Sequence, residues 1–159
     1  MNNKDETLKI LIGMKMCEKL LFEIYNDFST RFREYHDFWQ DISIDENTHA
    51  LMVDTFISLY KSKNILFDHR SFSLKMIEKD IDKIKLFKSK IIKTDISLSE
   101  ALEFALKAEN SIIEKDLYHY QDDDPPDFKK LLITLYEDSQ KHRHKIKDLY
   151  NKIKEEKSD

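Results

Sequence analysis

Residues 45–53 read DENTHALMV, a good helix-forming stretch in which Glu46 and His49 stand three apart and so share one helix face. Extended at helical spacing in both directions, that face collects Tyr35, Trp39, Ile42, Val53, Phe56 and Tyr60. Every neighbour is apolar or aromatic. A carboxylate and an imidazole therefore interrupt a hydrophobic seam, where an unpaired charge must neutralise, pair or bind a cation.

The rest of the chain frames that observation. With 159 residues it suits one domain, spanning 1–159, and can bury a real core. One Gly and two Pro, among many Lys, Glu, Leu and Ile, are the balance of an all-α protein. The 27 basic and 31 acidic residues are intermixed, giving a net charge of −4 and no basic patch for nucleic acid. No apolar run approaches the roughly 20 residues that span a membrane, and MNNKDETLK is too polar for a signal peptide. The lone Cys17 excludes an internal disulfide, a CxxC pair and a multi-Cys metal site within one chain. These features together make a reducing cytoplasm the simplest expected compartment.

Four long amphipathic helices are predicted. The first runs from about Glu6 to Phe32 and the second from about Glu34 to Lys61. The third starts at Ser97, with Glu100 placed for a capping box, and runs to about Gln121. The fourth follows QDDDPPD and continues to about Glu155. Between the second and third, Ile77, Ile81, Ile84, Phe87 and Ile91 recur at spacings of three and four, so this connection holds a helix of its own. Short joins make antiparallel pairs, whereas the long connection lets the third helix run parallel to the second. The predicted fold is a ferritin-like four-helix bundle with one long crossover containing an extra helix.

Each remaining seam also carries a polar interruption near its centre. The first helix gives Leu11, Met14, Glu18, Leu21, Tyr25, Phe28 and Phe32. The third gives Leu98, Leu102, Ala105, Glu109 and Ile112. The fourth gives Phe128, Leu132, Leu135, Ser139, His142, Ile146, Leu149 and Ile153, so that Ser139-x-x-His142 echoes Glu46-x-x-His49. At about 1.5 Å per residue, the polar positions of each pair fall at matching heights. Glu18, Glu46, His49, Glu109 and His142 are thereby predicted to converge. No Lys or Arg shares these seams at that level, which leaves a metal as the economical partner. Carboxylate oxygen with imidazole nitrogen suits iron, manganese or zinc. A lone Glu-x-x-His would be a weak signal; the coincidence of seam, height and half-repeat is what carries weight. His36, His69, His119 and His144 fall off the constellation and read as surface residues.

Glu18 with Tyr25, FWQDISIDENTH at 38–49, SEALEFALKAE at 99–109 and YEDSQKHRH at 136–144 together resemble the ferritin-like superfamily, and within it the rubrerythrin-like diiron domains. The family pattern is Glu, Glu-x-x-His, Glu, Glu-x-x-His. The resemblance implies a non-haem site, mono- or dinuclear in iron with manganese or zinc as other occupants, held by Glu18, Glu46, His49, Glu109 and His142. It also implies peroxide- or oxygen-related redox chemistry, an external electron donor, and the homodimer common among such bundles. The chain departs from the pattern at Ser139, where a second bridging Glu belongs. Of the neighbouring acids Glu137 and Asp138, Asp138 is the better rescue candidate, being four residues from His142; either it replaces the missing Glu or Ser139 abolishes the second position. The departure also admits a degenerate bundle without catalysis, serving as a metal-sensing or protein-interaction module.

Overall fold

The first helix stops because Phe32 leaves helical geometry, at φ −107° and ψ 74°. Its N–H still donates to the Phe28 carbonyl at 2.8 Å, and the Tyr35 N–H donates to the Phe32 carbonyl at 2.9 Å. One tight helical turn, Arg33–Tyr35, thus reverses the chain between α1 (Asn3–Arg31) and α2 (His36–Lys63). The second helix starts two residues later than predicted because this turn takes its expected first residues. The computed structural model describes residues 3–63, 73–114 and 125–156, with side chains for 5–62, 73–111 and 125–156. All described elements are helical, as the composition requires: α3 (Leu74–Lys93), α4 (Leu98–Glu114) and α5 (Pro126–Glu156) complete them. The predicted continuation to Gln121, the Ile112 side chain, His69 and His119 lie outside the described residues.

Local chemistry sets the helix starts. Ser73 caps α3 by accepting from the Met76 N–H at 3.2 Å. The expected capping box opens α4: Ser97 N–H donates to Glu100 Oε2 at 2.9 Å, and Glu100 N–H donates to Ser97 Oγ at 3.2 Å. Pro126 begins α5, where a missing N–H costs nothing.

Cross-helix pairs fix the directions. Gln40 meets Ser29 and Ser43 meets Phe22, so α1 and α2 are antiparallel. Tyr150 reaches Glu103 and Arg143 reaches Asn110, so α4 and α5 are antiparallel too. His49 meets Asp138 while Asp45 meets His142, which makes α2 and α5 antiparallel as well. Hence α4 runs parallel to α2. The long connection achieves this by returning along α1: Gly13 faces Ile77, Glu23 pairs with Lys88, and the Arg31 guanidinium donates to the Ile91 carbonyl at 2.9 Å. Gly13 is what lets α3 settle there, since a Cβ at this position would sit 2.3 Å from Ile77 Cγ2.

The seams meet in one core. Leu11, Leu21, Phe28, Trp39, Ile42, Val53, Leu102, Ala105, Leu132, Leu135 and Ile146 are all buried. At the turn end, Trp39 packs its edge against Phe28 with centroids 4.9 Å apart and stacks on Tyr25 at 5.7 Å. Among the described residues no helix is long and apolar enough to cross a membrane.

Candidate metal centre

Within that core the polar interruptions are buried as deeply as their apolar neighbours. Glu18, Glu46, His49, Glu109, Ser139 and His142 each keep 4% or less of their surface. The structure brings the five predicted side chains together as two overlapping groups. Glu18, Glu46 and His49 form one; Glu46, Glu109 and His142 form the other. Within each, one donor atom from every residue lies within 4.8 Å of the others. Glu46 belongs to both.

The distances show how Glu46 is shared. Its Oε2 is 3.4 Å from His49 Nδ1, while its Oε1 is 3.0 Å from His142 Nδ1. His49 Nδ1 also lies 3.7 Å from Glu18 Oε2, and His142 Nδ1 lies 3.9 Å from Glu109 Oε1. Both imidazoles thus turn the same nitrogen inward, with ring centroids 5.9 Å apart. The His142 contact to Glu46 is close but out of line for an N–H bond, so Nδ1 has no hydrogen-bond partner; neither has Glu109 Oε2. Buried polar atoms without a hydrogen-bond partner are costly unless something accepts the lone pair of the carboxylate, and of the imidazole once it gives up its proton. A metal ion does that, and this donor set fits one.

The outer nitrogens are reciprocally held. His49 Nε2, on α2, meets Asp138 Oδ2 of α5 at 3.2 Å. His142 Nε2, on α5, meets Asp45 Oδ2 of α2 at 3.1 Å. A carboxylate on the outer nitrogen fixes the ring and strengthens the inner nitrogen as a ligand. Sequence reasoning missed Asp45 altogether. A signal for it exists: Asp45 stands one residue before Glu46, as Asp138 stands one before Ser139. Asp138, the better-placed candidate to rescue Ser139, stands elsewhere in this structure. Its carboxylate engages the far edge of His49 and pairs with Lys141 at 2.7 Å, so it does not replace the missing Glu at the inner face.

Tyr25 and the outlying histidines complete the surroundings of the cluster. The Tyr25 hydroxyl donates to Glu109 Oε1 at 3.1 Å, fixing one oxygen of that carboxylate. His36 and His144 are exposed; His36 Nδ1 lies 3.0 Å from the Ser29 carbonyl, and His144 lies 3.6 Å from Asp148.

Electrostatically the cluster is polarised. Burial, joined by the Glu46 charge, raises Glu18 well above the usual carboxylate range. The same two causes push Glu109 up to about 8. Burial acts on Glu46 as well, but the His142 and His49 imidazoles outweigh it and hold that carboxyl low. Burial would depress the imidazoles, yet Glu18 and Glu46 take His49 up to about 11, and Glu46 and Glu109 take His142 up to about 9. Protons therefore occupy the positions from which a cation would displace them. Compared against known protein families, curated proteins and solved structures, the chain matches none.

Proposed function

We propose that the protein is a non-haem metal-binding protein of the rubrerythrin-like kind, built on a ferritin-like bundle. The observation that carries this reading is the meeting of Glu18, Glu46, His49, Glu109 and His142, fully buried, with both Nδ1 atoms turned inward. The parallel run of α4 and α2, reached through α3 along α1, is the chain path such a bundle needs. Glu46 would bridge two positions, Glu18 and His49 completing one and Glu109 and His142 the other. Iron is the metal this reading favours, with manganese and zinc compatible with the same donors. Bound iron would supply redox chemistry towards oxygen or peroxide, with electrons from an external donor, since the chain has one Cys and no cluster of its own. The residues themselves would exclude water, orient the imidazoles and, before an ion binds, hold protons at Glu18 and Glu109 that the ion would displace.

One observation favours a second reading. Ser139 stands where a fourth carboxylate belongs, which leaves a dinuclear divalent site one negative charge short. On that reading the bundle is without catalysis and serves as a metal-sensing or protein-interaction module. Elemental analysis of protein purified after growth with iron, manganese and zinc tests both. At least one equivalent per chain is expected of a metal protein; a metal-free product from all three media would overturn metal binding and leave an interaction module whose buried Glu and His pair with one another. Peroxide consumption with an artificial electron donor then separates a catalyst from a sensor.

A further inference from the structure

A cavity of about 770 Å3 lies between α1, α3 and α4, open along one side. Its origin is the way α3 is mounted. At Gly13 the helix sits directly on α1, whereas Phe87 stacks flat on Phe104 with centroids 3.7 Å apart and interposes two rings between α3 and α4. Protein interiors rarely leave voids larger than a water molecule, and spaces of a few hundred Å3 with mostly apolar walls are the usual form of a small-molecule site.

The wall is specific in character. Met14, Cys17, Leu21, Ile84, Phe87 and Phe104 make it apolar, and Leu86 extends it outward with 75% of its own surface exposed. Glu18, a member of the candidate metal centre, is part of the same wall. The exposed Lys83, Lys90 and Lys107 also line it, Lys90 being paired with Glu100 at 3.1 Å. Asp80 does too, but it is buried and engaged by Ser111 at 3.3 Å and Lys83 at 3.6 Å. From Ile77 to Lys90 the groove follows α3 for about 20 Å. Long, apolar within and carrying three lysines at its exposed edge, it matches a hydrocarbon chain with an anionic head. A nucleotide or sugar would leave most of its hydrogen-bonding groups facing aliphatic carbon.

We propose that this groove binds a single-chain anionic amphiphile, a long-chain carboxylate, with its head among Lys83, Lys90 and Lys107 and its chain lying over Cys17 and Leu21 beside Glu18. Placing the chain next to a metal rests on the function proposed above; the binding itself rests on the groove. Hexadecanoate, kept below its micelle concentration, is the probe, titrated calorimetrically into the metal-free full chain. One saturable equivalent is expected. Hexadecanol, and hexadecanoate against the Lys83→Glu/Lys90→Glu/Lys107→Glu variant, should each bind at least tenfold more weakly. Ala108→Trp, which fills the groove, should abolish binding while metal content stays at the wild-type level. Independently of any variant, hexadecanoate should slow N-ethylmaleimide alkylation of Cys17 in the wild-type protein several-fold. Absence of saturable binding, equal binding of hexadecyltrimethylammonium, or Cys17 alkylation unaffected by the probe would each overturn the proposal. Hexadecanoate binding by a protein that takes up no metal would instead remove the metal reading and leave the groove standing.

Discussion

The α1/α2 pair and the α4/α5 pair meet at one level of the core, yet they contribute unequally. From α1 and α2 come two carboxylates and an imidazole, Glu18, Glu46 and His49; from α4 and α5 come one carboxylate and an imidazole, Glu109 and His142, with Ser139 in the corresponding place. The second pair compensates by borrowing. His142 turns Nδ1 towards Glu46 of the first pair, at 3.0 Å, because its own helix offers a hydroxyl there. One glutamate therefore faces both imidazoles, and the two halves cannot be independent.

The largest effect should come from removing that shared residue. Glu46→Ala takes a carboxylate from both groups at once, so metal content should fall to background rather than by half. It also leaves two buried imidazoles without their common partner. Breaking a buried ion pair from one side costs about 3–5 kcal/mol, so the metal-free variant should unfold at clearly lower denaturant. A variant that still retains one equivalent of metal would break the comparison, because one half would then bind alone.

Next in size is the response to pH. His49 and His142 bind protons more tightly folded than unfolded, with values of about 11 and about 9 against an ordinary 6.5. Their stabilisation is complete below 6.5 and is lost as pH rises through the folded values. Glu109, raised from 4.5 to about 8, acts in the same direction over a lower window. Glu46 is ionised in both states throughout and contributes no slope. Between pH 6.5 and 9 the metal-free protein should lose about 3 kcal/mol from His142 alone, at about 1.4 kcal/mol per pKa unit. Metal binding must displace those protons, so the thermal stabilisation given by iron or zinc should grow over the same range. Melting curves with and without metal at several pH values would show the two trends diverging; parallel curves would remove the metal from the account.

Ser139→Glu should act more gently, by making the halves alike. The new carboxylate restores the missing charge beside His142 and frees Glu46 from double duty. Metal content should rise from about one towards two equivalents per chain, the dinuclear limit. An unchanged value would mean that the second position is limited by something other than charge.

The seams were legible because a period of 3.6 residues exposes any polar residue on a buried stripe, and Glu18, Glu46, Glu109, Ser139 and His142 all stand out that way. Matching heights followed from rise per residue once the turns were placed. What spacing does not contain is the rotational register between helices that are distant in sequence. Asp45 and Asp138 look like ordinary surface acids in the chain. Only the antiparallel contact of α2 with α5 lets each cross to the other helix's histidine. The α3 groove was hidden for a related reason: its width depends on Gly13 meeting Ile77 and on Phe87 meeting Phe104, two contacts between separate helices.

Those crossing aspartates give the smallest and sharpest test of the asymmetry. Asparagine keeps the size of aspartate and one carbonyl acceptor, but it removes the charge that strengthens the inner nitrogen. Loss of such an outer partner typically weakens a metal site about 10–100-fold without abolishing it. Asp138 holds His49, whose inner face looks on Glu18 and Glu46, the better-furnished group. Asp45 holds His142, which shares Glu46 and has only Glu109 besides. Asp138→Asn should therefore weaken the tight position, read by competition with a chelator of known affinity, while Asp45→Asn leaves that position within about twofold and empties a weaker one. Both substitutions fall at the cluster's outer edge, so folding should change little, and melting of the metal-free proteins checks that. If the two variants weaken the tight position equally, a single ion lies between both imidazoles, and Ser139 costs the protein a second metal rather than a balanced first one.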